Sequence, residues 1–313
     1  MSFAFVFPGQ GSQSVGMLAS LGAEPLVRET FEEASNVLGY DLWQLIQQGP
    51  AERLNATEQT QPAMLASGVA LWRLWRHRGG GEAACMAGHS LGEFTALVCA
   101  GALQFGSAVN LVRVRGALMQ QAVPPGAGAM AAILGLEEAA VEETCRAASA
   151  AGVVEAVNFN APGQVVIAGA RAAVMRAMDE AQARGSRRAV ELPISVPSHS
   201  SLMRPAAAEL RRTLAEIAFV VPRVAFVSAV DAQAHADPAE IRELLGTQLA
   251  RPVRWQDTVR ALAGMGIRQL IECGPGKVLT ALNRRIERRP DLACLAVEDS
   301  ASLDAALAAV RAP

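Results

Sequence analysis

Lysine is nearly missing from this 313-residue chain: Lys277 is the only one, every other basic residue being arginine. An excess of positive charge is missing too. The 28 basic residues face 30 acidic ones for a formal charge of -2, which excludes a strongly basic nucleic-acid binder. Long uninterrupted apolar runs are also lacking. Three charge-free stretches, 1–23, 94–112 and 116–136, are each broken by glycine, glutamine, asparagine or proline, notably at Pro8-Gly9-Gln10-Gly11 and Pro124-Pro125-Gly126, so none reads as a membrane span or an export signal. The five cysteines are odd in number and include no C-x-x-C, which argues against both a disulfide framework and a zinc site. Free thiols and no leader lead to the expectation of a soluble, cytoplasmic protein. No low-complexity tract or fixed-period repeat is visible.

What is present is apolar material, 51% of the residues against 19% charged, enough for a large packed core. Short apolar runs at 3–7, 84–87, 224–227 and 269–273 end at Gly, Pro or polar loops and read as strands. Longer segments of helical period, 25–38, 63–75, 91–100, 107–122, 202–217 and 277–288, lie between and beyond them. The alternation predicts an α/β fold with a parallel sheet. Between Pro125 and Pro193 the order changes to strand, helix, strand, strand, helix, strand, the sequence of elements of a ferredoxin-like unit. Proline at both borders marks an inserted subdomain, 126–197, within a discontinuous large domain made of 1–125 and 198–313.

The strongest local signal is Gly88-His89-Ser90-Leu91-Gly92, a G-x-S-x-G motif lying between an apolar strand and a helical segment. A strand that turns sharply into a helix leaves no space for Cβ atoms beside a serine held in strained geometry. The helix that follows aims its free N–H groups at the same point, where an oxyanion would form. The serine needs a base, and there are four histidines. His89 points away from its neighbour on an extended backbone, His77 is placed in an Arg-Gly-rich loop, and His235 lies among polar turn residues. His199, after Val196-Pro197-Ser198, is left as the candidate; it equally fits a helix-start histidine without chemistry.

Phe7-Pro8-Gly9-Gln10-Gly11-Ser12-Gln13, Gly88-His89-Ser90-Leu91-Gly92-Glu93, Val157 to Gln164 (VNFNAPGQ), Val196-Pro197-Ser198-His199 and Glu272-Cys273-Gly274-Pro275-Gly276-Lys277 together resemble the malonyl-CoA:acyl carrier protein transacylases of type II fatty acid synthesis, over nearly the whole chain. The resemblance implies a hydrolase-like large domain with the ferredoxin-like insert, and ping-pong transfer of malonyl from malonyl-CoA to the phosphopantetheine thiol of acyl carrier protein through a malonyl-serine. It assigns Ser90 as nucleophile, His199 as base and later acid, and the main-chain N–H groups of Gln10 and Leu91 as the oxyanion hole. It further implies that the main-chain carbonyl of Gln248 orients His199, and that Arg115 grips the malonyl carboxylate. On residues alone Arg115 equally reads as a cation snorkelling from a core helix. Gln61 matches a pocket glutamine or a helix N-terminal residue. Asn158 and Asn160 line the cleft or serve a turn near Pro162.

No bound cofactor is expected, since phosphopantetheine belongs to the carrier. Gly274-Pro275-Gly276 lacks the spacing of a nucleotide-phosphate loop and reads as a turn, and nothing supports a metal. The small Ser198 before His199 leaves rejection of branched extenders open. An acidic carrier is not attracted by a net charge of -2, so local arginines are the candidates: Arg284, Arg285, Arg288 and Arg289, or Arg187 and Arg188. The first four also read as cations at a helix C-terminus. Nucleic acid and membrane are not expected as partners, and a monomer is. The rivals are a carboxylesterase or thioesterase with the same elbow, and a non-catalytic carrier-binding scaffold.

Overall fold

The computed structural model describes residues 2–194 and 196–311. Its strands are β1 (Phe3–Phe7), β2 (Cys85–Gly88), β3 (Gly128–Leu134), β4 (Val154–Ala161), β5 (Gln164–Ala170), β6 (Arg188–Glu191), β7 (Ala225–Val227), β8 (Ala234–His235), β9 (Gln269–Cys273) and β10 (Ala293–Val297). The α-helices are α1 (Pro25–Leu38), α2 (Leu42–Gln48), α3 (Ala51–Asn55), α4 (Thr57–His77), α5 (Gly92–Cys99), α6 (Phe105–Gln121), α7 (Glu138–Ala148), α8 (Arg171–Ala183), α9 (Arg204–Ala215), α10 (Pro238–Gln248), α11 (Trp255–Gly264), α12 (Val278–Ile286) and α13 (Ser300–Arg311).

The first sheet runs β10-β9-β1-β2-β7-β8, parallel throughout except for the β7–β8 pair at one edge. β1 is central and every residue of its FAFVF run is buried, as expected of a strand covered by helices on both faces. Phe5 and Phe7 face α4 and α5 in the larger core, each contributing about 1.5–3 kcal/mol by burial, while Ala4 and Val6 face a second core that contains Trp255, Val259 and Leu282. α1 shows the sequence logic of a surface helix. Pro25 opens it, Gly39 closes it at φ 78°, and Val27, Phe31 and Ala34 line its buried stripe.

The second sheet, β4-β5-β3-β6, is antiparallel, with α7 and α8 packed on one face through Val141, Cys145, Val174 and Ala177. That order is the ferredoxin-like one. It is laced to the first unit along β4: Val253 donates to the Val157 carbonyl at 2.8 Å and Phe159 to the Val253 carbonyl at 2.9 Å. The second sheet is thereby held over the C-terminal end of β2.

Two sequence expectations need correction, and several elements were not expected. The helix expected over 63–75 begins at Thr57, because Gln61 and Pro62 are already within its turns, and it runs through His77, which therefore ends a helix instead of lying in a loop. β10 and α13 complete the far edge of the first sheet although their alanine-rich segments carry little periodic contrast. α10 and α11, also unanticipated, flank the loop that reaches His199. All five cysteines are buried and unpaired. Among the described residues no helix is long and apolar enough to cross a membrane.

Candidate active site

The site begins where β2 turns into α5. Ser90 takes φ 52°, a left-handed conformation that costs a non-glycine residue about 1–3 kcal/mol and is held by its surroundings. Gly88 and Gly92 permit the turn. A Cβ on Gly88 would lie 1.9 Å from the Gly92 carbonyl carbon, and one on Gly92 would lie 2.0 Å from the Phe7 carbonyl oxygen. The main-chain N–H groups of Leu91, at the start of α5, and of Gln10, in the loop after β1, form no hydrogen bond among the described residues, and both residues wall the small cavity beside Ser90.

His199 reaches the serine from the loop before α9, with φ 68°. Its Nδ1 lies 2.9 Å from the Gln248 carbonyl and 3.2 Å from that of Arg251. Two acceptors there fix the proton on Nδ1, so Nε2, 2.7 Å from Ser90 Oγ, accepts the serine hydroxyl. Burial and then the nearby Arg115 guanidinium push the imidazole pKa down to about 3, against the two carbonyl bonds that support the cation. The ring is neutral near pH 7.

Arg115 is 1% exposed on α6. Its helix approaches α4 closely because Gly116 has no side chain: a Cβ there would meet Glu58 Cα and the Thr57 carbonyl oxygen at 2.7 Å. Nη1 donates to Gln61 Oε1 at 2.9 Å; Nη2 donates to Gln248 Oε1 at 2.8 Å and to Ser90 Oγ at 3.1 Å. The guanidinium lies over the Phe94 ring, and its Nε is buried without a partner. Burial lowers its pKa to about 9, while Glu93 supports the charge. Its hydrogen-bonding oxygens are all neutral ones, so the cation has no direct carboxylate partner among the described residues.

Gln61 is thus buried inside α4 and bonded to Arg115. Gln248, expected to act through its carbonyl, also contributes its side chain: Nε2 donates to the Ser90 carbonyl at 2.9 Å and to Glu93 Oε2. Glu93, to which the sequence reading assigns no role, lies in the first turn of α5. It is fully buried, and its Oε1 accepts from Ser228 Oγ at 2.8 Å and from the Ala229 N–H. Burial raises its pKa to about 7 against those hydrogen bonds.

A cleft of about 430 Å³ leads to the serine between the two sheets, and shares Gln10, His89 and Asn158 with the small cavity. Asn158 and Asn160 both line it. Asn160 Oδ1 lies 2.8 Å from His89 Nε2, whereas Asn158 Oδ1 is buried without a partner. Ser198 borders the serine cavity. His235 pairs with Asp231 elsewhere. Among the described residues no group of three or more His, Cys, Asp or Glu is placed to hold a metal.

The arginines divide. Arg284 donates to the Cys294 carbonyl, Arg285 to Gln164 Oε1 and the Pro162 carbonyl, and Arg289 pairs with Asp291. Arg187, Arg188 and Arg288 are exposed and form no ion pair among the described residues. Arg188 is opposite Leu134, which is opposite Gln164, the partner of Arg285, so the two groups share one end of the second sheet.

Residues 4–301 match the acyl transferase domain model. The chain is 55% identical over 306 residues to the malonyl CoA-acyl carrier protein transacylase of Salmonella typhimurium, covering 97% of this chain and 98% of that one. Its backbone superposes with a TM-score of 0.94 on an acyl carrier protein S-malonyltransferase from Vibrio cholerae, 54% identical, covering 98% of this chain and 100% of that one. It also superposes, with a TM-score of 0.97 and 52% identity over 99% of this chain and 100% of the other, on a malonyl-transacylase solved in complex with the holo form of its type II PKS acyl-carrier protein.

Proposed function

The chain belongs to the acyl transferase family, and on that premise we propose how its residues carry out the reaction of a malonyl-CoA:acyl carrier protein transacylase. It is an acyltransferase that moves malonyl from coenzyme A to acyl carrier protein. In the first half-reaction Ser90 Oγ attacks the thioester carbonyl while its proton passes to His199 Nε2. The tetrahedral oxyanion takes the N–H groups of Gln10 and Leu91, donors left free beside the serine. The C–S bond breaks, His199 returns the proton to the departing CoA thiolate, and malonyl remains on Ser90. The second half-reaction reverses these steps with the phosphopantetheine thiol of the carrier. A carbonyl-oriented histidine suffices because the imidazolium formed in each step is transient and Gln248 and Arg251 accept from its Nδ1.

The observation that carries the substrate assignment is the buried Arg115 guanidinium, within reach of Ser90 Oγ and held by neutral acceptors only, three oxygens and the Met119 sulfur. A buried cation without a carboxylate partner suits an acyl group that ends in one, and a bidentate pair in a partly dry cleft is among the stronger polar contacts. On this reading Asn158 and Asn160, which line the cleft, receive the pantetheine arm. For the carrier, the exposed Arg187, Arg188 and Arg288 at the shared end of the second sheet offer the basic surface an acidic partner needs; Arg285 there serves as a strap to the β4–β5 turn. Intact mass after exposure to malonyl-CoA tests the reading. A persistent adduct on Ser90 supports it, turnover without an adduct supports a thioesterase, and no reaction supports a scaffold.

A further inference from the structure

One residue, Gln248, contacts His199, Arg115 and Ser90 together. Its main-chain carbonyl accepts from His199 Nδ1, its Oε1 accepts from Arg115, and its Nε2 donates to the Ser90 carbonyl. An amide has two faces, and a half-turn exchanges them. Arg115 can only donate and the Ser90 carbonyl can only accept, so only one orientation serves both. The second Nε2 hydrogen goes to Glu93 Oε2. Glu93 in turn is fixed by two further donors on Oε1, the Ala229 N–H and the Ser228 hydroxyl, whose oxygen also accepts from the Val230 N–H.

We propose that Glu93 is a positioning residue for this transacylase: by presenting acceptor oxygens to the Gln248 NH2 group and to the Ala229 N–H at once, it locks the Gln248 amide in the orientation that holds the Arg115 guanidinium against Ser90, and so sets the preference for acyl groups ending in a carboxylate. The proposal rests on the malonyl-transfer reading of the site. Glu93 does not touch substrate; it acts two hydrogen bonds away. The arrangement links Glu93 and Arg115 through a neutral amide instead of a direct ion pair.

An amide at this position does not meet the demand. In Glu93→Gln one of the two oxygens becomes an NH2 group. The Ala229 N–H belongs to the backbone and cannot turn away, so it retains the oxygen, and the new NH2 group meets that of Gln248. The Gln248 amide then turns over, presenting NH2 to Arg115. The His199–carbonyl bond is main chain and persists.

The test is the rate of acyl-enzyme formation from malonyl-CoA and acetyl-CoA, at limiting and saturating thioester, in wild type, Glu93→Gln, Glu93→Asp, Gln248→Ala and the Glu93→Gln/Gln248→Ala double variant. Malonyl acylation of Glu93→Gln falls by about tenfold or more, the loss expected for one hydrogen bond to a charged group, and acetyl acylation falls by a smaller factor. Glu93→Asp, which keeps both acceptor oxygens, recovers part of the malonyl preference. The double variant is no worse than Gln248→Ala, because the two residues act in series. Should Glu93→Gln lose its fold, Glu93→Asp is compared with and without Gln248→Ala, and the same non-additivity is expected. Equal losses for both thioesters, or losses that add in the double variant, overturn the role of Glu93 and leave the reaction assignment standing. A wild-type chain that takes up no malonyl overturns the assignment itself, and this proposal with it.

Discussion

Ser90 and His199 meet through a 2.7 Å hydrogen bond while each holds a positive φ, 52° and 68° respectively. Neither residue would choose that conformation alone. The strain is maintained by packing around Gly88, Gly92 and the α10-to-α11 loop, and it aims both side chains into one cavity.

The elbow glycines set the first prediction. Gly92→Ala would place a methyl group 2.0 Å from the carbonyl oxygen of Phe7, an atom of the central strand that cannot give way. The variant is expected to lose more than about 4 kcal/mol of stability or to fail to accumulate folded, as checked by urea unfolding.

Arg115→Ala is expected to reduce malonyl acylation by about 2–5 kcal/mol of transition-state stabilisation, the range for truncating one partner of a buried charge pair, and to affect acetyl acylation far less. Quenched acyl-enzyme yields from the two thioesters measure the difference. An equal loss for both would place Arg115 in a purely structural role.

The pH dependence follows from His199. Its pKa is lowered from 6.5 to about 3, so the ring stays neutral, and competent as a base, as pH falls from 7 to 5. Acetyl acylation is expected to hold its rate across that interval instead of halving near the ordinary histidine value. The same shift makes the unfolded chain the better proton binder between about pH 3 and 6.5, so this histidine's contribution to stability is complete above that window and is lost as pH falls through it. Because the Arg115 charge contributes to the shift, Arg115→Ala is expected to move the acid limb of the acetyl profile upward. Stopped-flow acylation across pH checks both statements.

For the carrier, the expected sensitive positions are the unpaired arginines. Arg188→Glu with Arg288→Glu is expected to slow transfer from the acyl-enzyme to acyl carrier protein and weaken its salt dependence, with acylation by malonyl-CoA little changed. Unaltered carrier transfer, read in a quench assay at two ionic strengths, would move the docking surface elsewhere.

Much of this was legible in the sequence, for physical reasons that differ by element. β1, β9 and α1 were readable because a five-residue apolar run or a three-four stripe bounded by Pro25 and Gly39 has few alternative interpretations. The insert's order of elements was readable from its punctuation. α13 and β10 were not, because alanine gives little contrast between faces and packing alone decides. At the site, Gly88 and Gly92 announced the elbow, but the Arg115 environment comes from α4, α6 and α10, elements far apart in the chain. Glu93 shows the limit most clearly. An acid in the first turn of a helix has an ordinary explanation on the page of a sequence, and only the fold places Ser228, Ala229 and Gln248 around it.

The most direct measurement is the intact mass of the wild-type chain and of Ser90→Ala after brief exposure to malonyl-CoA, followed by addition of holo acyl carrier protein. One malonyl group is expected per wild-type chain, with its disappearance and simultaneous gain by the carrier, and no adduct on a Ser90→Ala chain of unchanged thermal stability. An adduct of undiminished yield on Ser90→Ala, or a wild-type adduct that the carrier does not discharge, would contradict malonyl transfer through Ser90.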